Sequence, residues 1–295
     1  MNQNIIDQVM KMRELCKTSD DRRDLGLPTN IPEVKRIDNL SYGPDSKWNL
    51  LDLYLPKNYP GNVPTIIHVH GGGWCYGTKE TYQFYGLQMA KMGLAFVNFN
   101  YPLAPDVHFP TQLDCVDQVF HWVEDHAAEY HLDTNNVFIS GDSAGAQMAA
   151  QYLTCLFNAE YREKFGYSLP ALTVRAATLN CGVYFLNLPD KIRDTSLAYF
   201  TPEIIKTNQD RLAFEKYMTK DLSPIFLMTA NQDFLHDSSV RLDGYLMAKG
   251  IQHELHIYGD EKHPERHVFH INQKDPLAVK CNEDEVKFLR GYVER

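Results

Sequence analysis

A serine between two glycines is the first group in this sequence that could act as a nucleophile. Residues 141–145 read Gly-Asp-Ser-Ala-Gly, which fits the pattern G-x-S-x-G with Ser143 at its centre. The pattern needs a sharp turn from a strand into a helix, because side chains two positions before and after the serine would collide there. The apolar run NVFIS precedes the turn and the alanine-rich run AGAQMAAQYL follows it. We therefore expect the hydroxyl of Ser143 at the end of a strand, where a helix N-terminus favours developing negative charge.

A run of glycines earlier in the chain could stabilise that charge. The sequence HGGGW occupies residues 70–74 and directly follows the β-branched run PTIIHV. Glycine allows backbone N–H groups to point into a cavity with no side chain in the way. We expect two N–H groups of this run, with the one after the serine, to form an oxyanion hole.

An acid and then a base are expected after the serine in chain order. Asp233 follows the apolar run 224–230, and His267 follows the run 253–258. Both are predicted to lie in loops at the carboxyl edge of the sheet, where α/β sheets place their sites. Other residues compete for these roles, namely Asp237 and Asp243 as the acid and His236, His263 and His270 as the base. Asp233 is preferred because it lies nearer the strand end, and His267 because it begins a His-x-Phe pattern.

The elements that must position these residues alternate between strands and helices. Strands are predicted at 34–42, 49–55, 64–70, 94–100, 136–140, 172–179, 224–230 and 253–258, and helices at 82–92, 112–129, 143–156, 238–249 and 283–294. This alternation predicts an α/β fold, with a mostly parallel sheet covered by helices on both faces, in a single domain over residues 1–295. Segments 1–33 and 186–220 do not fit the alternation. We interpret them as parts of a small lid over the sheet edge, with ordinary crossover helices as the alternative.

Composition narrows the class of protein. Of the 295 residues, 44% are hydrophobic and 23% are charged, which is the balance of a globular protein. The formal charge of -9 argues against nucleic acid or an anionic membrane as a partner. There is no secretory leader pattern and no long apolar stretch, so we expect a cytoplasmic protein whose six scattered cysteines are free thiols. No metal-ligand spacing is found, and no cofactor is expected.

The chain resembles the hormone-sensitive-lipase-like esterases of the α/β-hydrolase fold. The resemblance runs from about Val34 to the C-terminus and depends on HGGGW at 70–74, YPLAP at 101–105, GDSAG at 141–145, a D-x-L-x-D variant at 233–237 and HVF at 267–269. It implies that Ser143 is the nucleophile, Asp233 the acid and His267 the base. It also implies that the N–H groups of Gly72, Gly73 and Ala144 form the oxyanion hole.

These features predict a serine carboxylesterase that acts on small-molecule esters without a metal or cofactor. We expect short acyl groups, acetyl first, with an acetylated carbohydrate as one candidate substrate. Bulky rings near the scissile bond would leave little space for a fatty chain and could stack on a sugar. The residues predicted to contact the substrate are Trp74, Tyr76, Tyr184, Tyr199 and Phe200. An amide or formamide hydrolase, and a ligand-binding protein that has lost catalysis, are the alternatives.

Overall fold

A computed structural model describes residues 3–189 and 191–294 of the chain, and its central element is an eight-stranded sheet. The strands are β1 (Val34–Ser41), β2 (Leu50–Pro56), β3 (Val63–Val69), β4 (Ala95–Phe99), β5 (Leu132–Asp142), β6 (Val174–Asn180), β7 (Ile225–Ala230) and β8 (His253–Tyr258). Their order across the sheet is β1-β2-β4-β3-β5-β6-β7-β8. β2 runs antiparallel to β1 and β4, and the other neighbouring pairs are parallel. The predicted mostly parallel sheet is confirmed.

Helices cover both faces of the sheet, as predicted. The α-helices are α1 (Gln3–Asp24), α2 (Gln83–Lys91), α3 (Thr111–Tyr130), α4 (Ala144–Phe157), α5 (Ala159–Glu163), α6 (Pro202–Thr207), α7 (Gln209–Leu212), α8 (His236–Lys249) and α9 (Pro276–Arg290). Short 3₁₀ helices span Asp194–Ala198, Phe214–Tyr217 and Phe269–Ile271. Side chains alternate between the faces along each strand. In β4, Val97 joins the core with α3 and α4, whereas Phe96 joins the core with α2 and α9.

The last helix begins seven residues earlier than the predicted start at residue 283. Asp275 caps it, because its side chain accepts a hydrogen bond from the backbone N–H of Leu277. Pro276 occupies the first helical position, where a missing N–H costs nothing. Asp-Pro before an apolar run is a helix-start signal that the periodicity alone did not reveal.

Both predicted lid segments lie against the loop that carries the glycine run, although residues 1, 2 and 190 within them are outside the described residues. Helix α1 packs against the 3₁₀ helix Asp194–Ala198 of the second segment. The Arg13 guanidinium of α1 donates hydrogen bonds to the carbonyls of Cys75 and Ala104, both at 2.8 Å. Tyr76 returns a hydrogen bond of 2.8 Å to Asp20 of α1. Together these contacts fix the N-terminal helix beside the site.

Two further sequence features can be located on this fold. All six cysteines are free, five of them buried and Cys16 partly buried. Across the described ranges 3–189 and 191–294, no helix is long and apolar enough to cross a membrane.

Candidate active site

The turn from β5 into α4 holds Ser143 in a backbone conformation that is uncommon for a residue with a side chain. Its φ is 53° and its ψ is -118°. Its neighbours are glycines for a steric reason. A Cβ on Gly141 would lie 2.5 Å from the Gly145 carbonyl oxygen, and one on Gly145 would lie 2.0 Å from the Val69 carbonyl oxygen. The strand–turn–helix geometry expected from G-x-S-x-G is therefore present.

The side chains of Ser143, His267 and Asp233 form a continuous hydrogen-bonded chain. His267 Nε2 lies 2.9 Å from Ser143 Oγ, and His267 Nδ1 lies 2.7 Å from Asp233 Oδ1. The three residues come from loops that follow β5, β7 and β8. Because parallel strands end at one edge of the sheet, residues far apart in sequence meet there. The structure thus brings together the three residues that the sequence singled out.

Hydrogen bonds hold Asp233 in the ionised form. Burial acts to raise the pKa of this carboxyl group, but the hydrogen bond and charge of His267 and the N–H of Leu235 outweigh burial and lower it. Thr229 also donates to Oδ2 at 2.9 Å. An ionised carboxylate can only accept, so His267 Nδ1 is the donor of this pair, and in a neutral imidazole Nε2 is then the nitrogen that can accept the Ser143 hydroxyl proton. This protonation state is the one that a general base needs.

The competing residues lie elsewhere. Asp237 is fully exposed and next to His236, and Asp243 lies 3.1 Å from His253. His263 is exposed in the loop before His267. His270 is fully buried, and burial lowers its pKa to about 3. Neither ring nitrogen of His270 has a hydrogen-bond partner among the described residues.

The glycine loop lies next to this chain and is connected to the turn beneath it. A Cβ on Gly72 would lie 2.0 Å from the Tyr76 carbonyl oxygen, so only glycine fits at that position. The Gly71 N–H donates to the Tyr82 hydroxyl at 3.1 Å, and that hydroxyl donates to Asp142 Oδ2 at 2.8 Å. Tyr82 therefore joins the glycine loop to the residue before Ser143, so the two loops are held in a fixed relation.

Backbone donors are free at this loop. Within the described residues, the N–H groups of Gly72 and Gly73 donate to no acceptor. Ala144 is the first residue of α4, where an N–H has no partner inside the helix.

Four of the five aromatic residues predicted to contact substrate lie in the interior. Trp74 is 4% exposed, and Tyr184, Tyr199 and Phe200 are 1% exposed or less. The Trp74 ring stacks on Tyr199 at 6.2 Å between centroids, meets Phe200 edge-on at 4.8 Å, and its indole N–H donates to Gln147. In this conformation these four rings are buried in the core and offer almost no surface to a ligand. Tyr76 alone of the five is partly exposed.

The sequence analysis did not identify two residues that contact the hydrogen-bonded side chains of Ser143, His267 and Asp233. The Cys181 thiol follows β6 and accepts a hydrogen bond from the Val268 N–H at 3.4 Å. Its sulfur, an Asp233 oxygen and a His267 nitrogen lie within 4.8 Å of one another, which among the described residues is the one group with the spacing of a metal site. Asp233 and His267 are already bonded to each other, so a metal would have to break that pair. Phe234 is the second missed residue, and its ring contacts the ring of His267.

A family profile described as alpha/beta hydrolase fold matches residues 66–267. Among curated proteins, esterase LipQ of Mycobacterium tuberculosis is 28% identical over 225 residues, which are 71% of this chain and 52% of LipQ. Carboxylesterase NlhH of the same species is 27% identical over 244 residues, which are 79% of this chain and 76% of NlhH. The chain spans about half the length of the first curated relatives that it matches.

A solved structure extends the similarity to almost the whole chain. Esterase B of Lactobacillus rhamnosis, crystallised with a tributyrin phosphonate inhibitor, superposes with a TM-score of 0.90. The match covers 99% of this chain and 96% of that protein, at 22% sequence identity. At that identity the superposition establishes a shared fold.

Proposed function

The chain belongs to the alpha/beta hydrolase fold family, and we propose that it is a serine carboxylesterase in which Ser143 attacks the ester carbonyl. The observation that carries the proposal is the hydrogen-bonded chain from Ser143 through His267 to the buried Asp233. A serine hydroxyl is a poor nucleophile until a neighbouring base takes its proton. Such a base is present at 2.9 Å.

In the first half of the reaction, His267 Nε2 takes the Ser143 proton while Oγ bonds to the carbonyl carbon. The imidazolium that results is stabilised by the Asp233 carboxylate, which remains ionised. His267 then donates this proton to the departing alcohol oxygen, leaving an acyl group on Ser143. In the second half, His267 takes a proton from water as the water oxygen bonds to the acyl carbon; His267 then returns this proton to Ser143 Oγ as the Oγ–carbon bond breaks and the carboxylic acid leaves.

The negative charge on the carbonyl oxygen would be stabilised by backbone donors. In this proposal Gly72, Gly73 and Ala144 would supply the N–H groups, and the N-terminus of α4, which begins directly after Ser143, would add its positive end. Removing one such donor from a hydrolase typically costs about a hundredfold to a thousandfold in kcat. No metal or cofactor takes part in this scheme.

For the substrate we propose a small ester with a short acyl group. The proposal is supported by the rings of Trp74, Tyr199 and Phe200, which pack together as core directly after the glycine loop and would leave little space there for a long acyl chain. Because these rings are buried, they give no support to the stacking of a sugar ring. The proposed substrate is therefore defined by its short acyl group.

The serine is tested by replacing it. We expect Ser143→Ala to keep the fold and to lose p-nitrophenyl acetate hydrolysis by at least about a thousandfold. An organophosphonate should label the wild-type protein at Ser143 and leave this variant unlabelled. Circular dichroism checks that both proteins are folded.

The chain offers a matched control at Ser168. This exposed serine lies 3.0 Å from Nε2 of His121 and, among the described residues, bonds to no member of the Ser143–His267–Asp233 chain, so Ser168→Ala should hydrolyse at the wild-type rate. Wild-type turnover by Ser143→Ala would overturn the proposal. Labelling of Ser143 without ester turnover would identify a binding protein, and turnover of amides alone an amide hydrolase.

A further inference from the structure

Phe234 is a large apolar side chain that the fold leaves in water at the mouth of the site. It directly follows Asp233, and its side chain is 77% exposed. Single exposed hydrophobic residues are common on proteins, so exposure alone indicates nothing. The informative contact is with His267, whose ring centroid lies 4.2 Å from that of Phe234 with 46° between the planes. One part of the phenyl ring covers the imidazole, and the rest faces solvent.

The chemistry of His267 requires the alcohol part of an ester to lie near this ring. In the proposed reaction, Nε2 gives its proton to the alcohol oxygen, which must come within about 3 Å of that nitrogen. The first carbon atoms of the alcohol then lie within a few ångströms of the imidazole ring. Phe234 is the exposed apolar surface in contact with that ring. An alcohol group bound there would cover the part of the phenyl ring that water now covers.

We infer that Phe234 determines specificity for the alcohol part of the substrate and favours esters whose alcohol carries an aromatic ring. The inference rests on the proposed esterase function and adds the leaving-group side of the same site. Aromatic pairs gain from offset or edge-to-face contact beyond the area that they bury. A short aliphatic alcohol such as ethanol reaches too little of the phenyl ring to gain from it.

The test compares benzyl acetate with ethyl acetate, which share an acyl group and differ in the alcohol. In Phe234→Ala, the ratio of kcat/KM for benzyl acetate to that for ethyl acetate should fall about tenfold from the wild-type ratio. Phe234→Leu keeps apolar bulk without the ring and should fall between the two. Intrinsic ester reactivity cancels, because each ratio uses the same pair of substrates.

Leu25 provides the matched control, since it is also 77% exposed and lies at the end of α1. Leu25→Ala should keep the wild-type ratio. An unchanged ratio in Phe234→Ala, with phosphonate labelling of Ser143 intact, would overturn the inference and leave the esterase proposal standing. Absence of ethyl acetate hydrolysis by the wild-type protein would instead count against the esterase proposal itself.

Discussion

Besides the serine–histidine–carboxylate chain at the site, the described side chains include an exposed one, and a comparison of these two separates geometry from chemistry. The first joins Ser143, His267 and Asp233. The second joins Ser168 Oγ to His121 Nε2 at 3.0 Å and His121 Nδ1 to Glu124 at 3.2 Å. Its members are exposed, with about a third of the His121 and Glu124 side chains in water. Water screens such a pair and competes for its hydrogen bonds.

The first chain differs from the second in its surroundings. Ser143 and Asp233 are both buried, at 9% and 6% exposure, so their interactions act in a low dielectric. Ser143 also has the positive φ of a tight turn and the N-terminus of α4 behind it. Similar distances therefore do not imply similar chemistry, and the buried chain is the one on which the proposed function rests.

Replacing each of the two competing acids separates their roles. We expect Asp233→Asn to lower kcat/KM by about ten-thousand-fold, because an amide cannot hold the imidazole with its Nδ1 proton. Asp237→Asn should change it by less than about threefold, because that side chain is fully in water. Rates of p-nitrophenyl acetate hydrolysis check both values. The opposite ranking would move the acid to Asp237.

Local sequence predicts some features of the site and not others. The turn around Ser143 depends on five adjacent residues, so its geometry could be predicted. Cys181 and Phe234 belong to the site because they contact residues more than thirty positions away in the sequence, and no local pattern predicts such contacts. Trp74 could not be assigned from its type, because a ring in a pocket and a ring in the core look alike in sequence.

Among the strands and helices around the site, too, some features could be predicted from local sequence and others could not. The strands and most helices could be predicted from apolar periodicity, because each buries a face along its length. The order β2-β4-β3 could not, since β2 and β3 are consecutive in the chain but β4 lies between them in the sheet. The second of the predicted lid segments contains short helices such as Pro202–Thr207 and Gln209–Leu212, which are too brief to produce a clear period.

A buried acid holds the second of the predicted lid segments against the loop after β6 and against helix α8. Glu215, in the 3₁₀ helix Phe214–Tyr217, is 3% exposed and accepts a hydrogen bond from the Phe185 N–H. Its backbone carbonyl accepts one from Tyr245 of α8 at 2.7 Å. Burial raises the pKa of Glu215 from its usual 4.5 to about 7. The folded protein thus holds this proton at pH values where the unfolded chain has lost it.

The stability of the fold should therefore depend on pH through Glu215. Between about pH 4.5 and pH 7 the folded state binds more protons, so the contribution of this group is full in acid and lost as pH rises through 7. The glutamine in Glu215→Gln is neutral at every pH, so the variant does not lose this stability as the pH rises. We expect the difference between the Tm of the variant and the Tm of the wild type to increase by several degrees from pH 5 to pH 8. This increase corresponds to about 3 kcal/mol in the free energy of unfolding.

A matched variant in the same segment separates this effect from the general effect of removing a negative charge. Glu203 on α6 is exposed, so Glu203→Gln should follow the wild-type Tm in parallel across the pH range. Parallel curves for Glu215→Gln and the wild type would show that the Glu215 proton is not linked to folding.

On the scale of the whole molecule, three buried carboxylates tie distant parts of the chain together. Asp52 of β2 meets Lys79 at 2.8 Å. Asp142 meets Tyr82 before α2, and Glu285 of α9 accepts a hydrogen bond from Tyr85 of α2 at 2.8 Å. Burying a carboxylate without a partner costs free energy, so each pair destabilises any structure in which the two segments are misaligned. Two of the three pairs lie around α2, which is how the sheet, the glycine loop and the Ser143 turn are held in one arrangement.

The acyl side of the site also depends on segments that are far apart in the chain. Trp74 follows the glycine loop, Tyr199 and Phe200 come from the second lid segment, and Phe109 packs against both of these lid rings. Helix α1 adds Met12, whose terminal carbon lies 4.0 Å from where a Cβ on Gly73 would be. These groups close the space beside the proposed oxyanion hole with large side chains from four regions.

This closure predicts the dependence of rate on acyl length. Each methylene that fits a pocket adds about 0.8 kcal/mol of burial, so an open apolar channel would raise kcat/KM steadily with chain length. We propose that the packed rings leave no such channel, so that a longer chain would have to displace close-packed core, which typically costs about 1–3 kcal/mol. We expect kcat/KM for p-nitrophenyl esters to be greatest at acetyl or butyryl and to fall from hexanoyl onward. Greater activity on octanoyl than on butyryl esters would mean that the rings move aside, and that the lid segments open as a channel for long acyl chains.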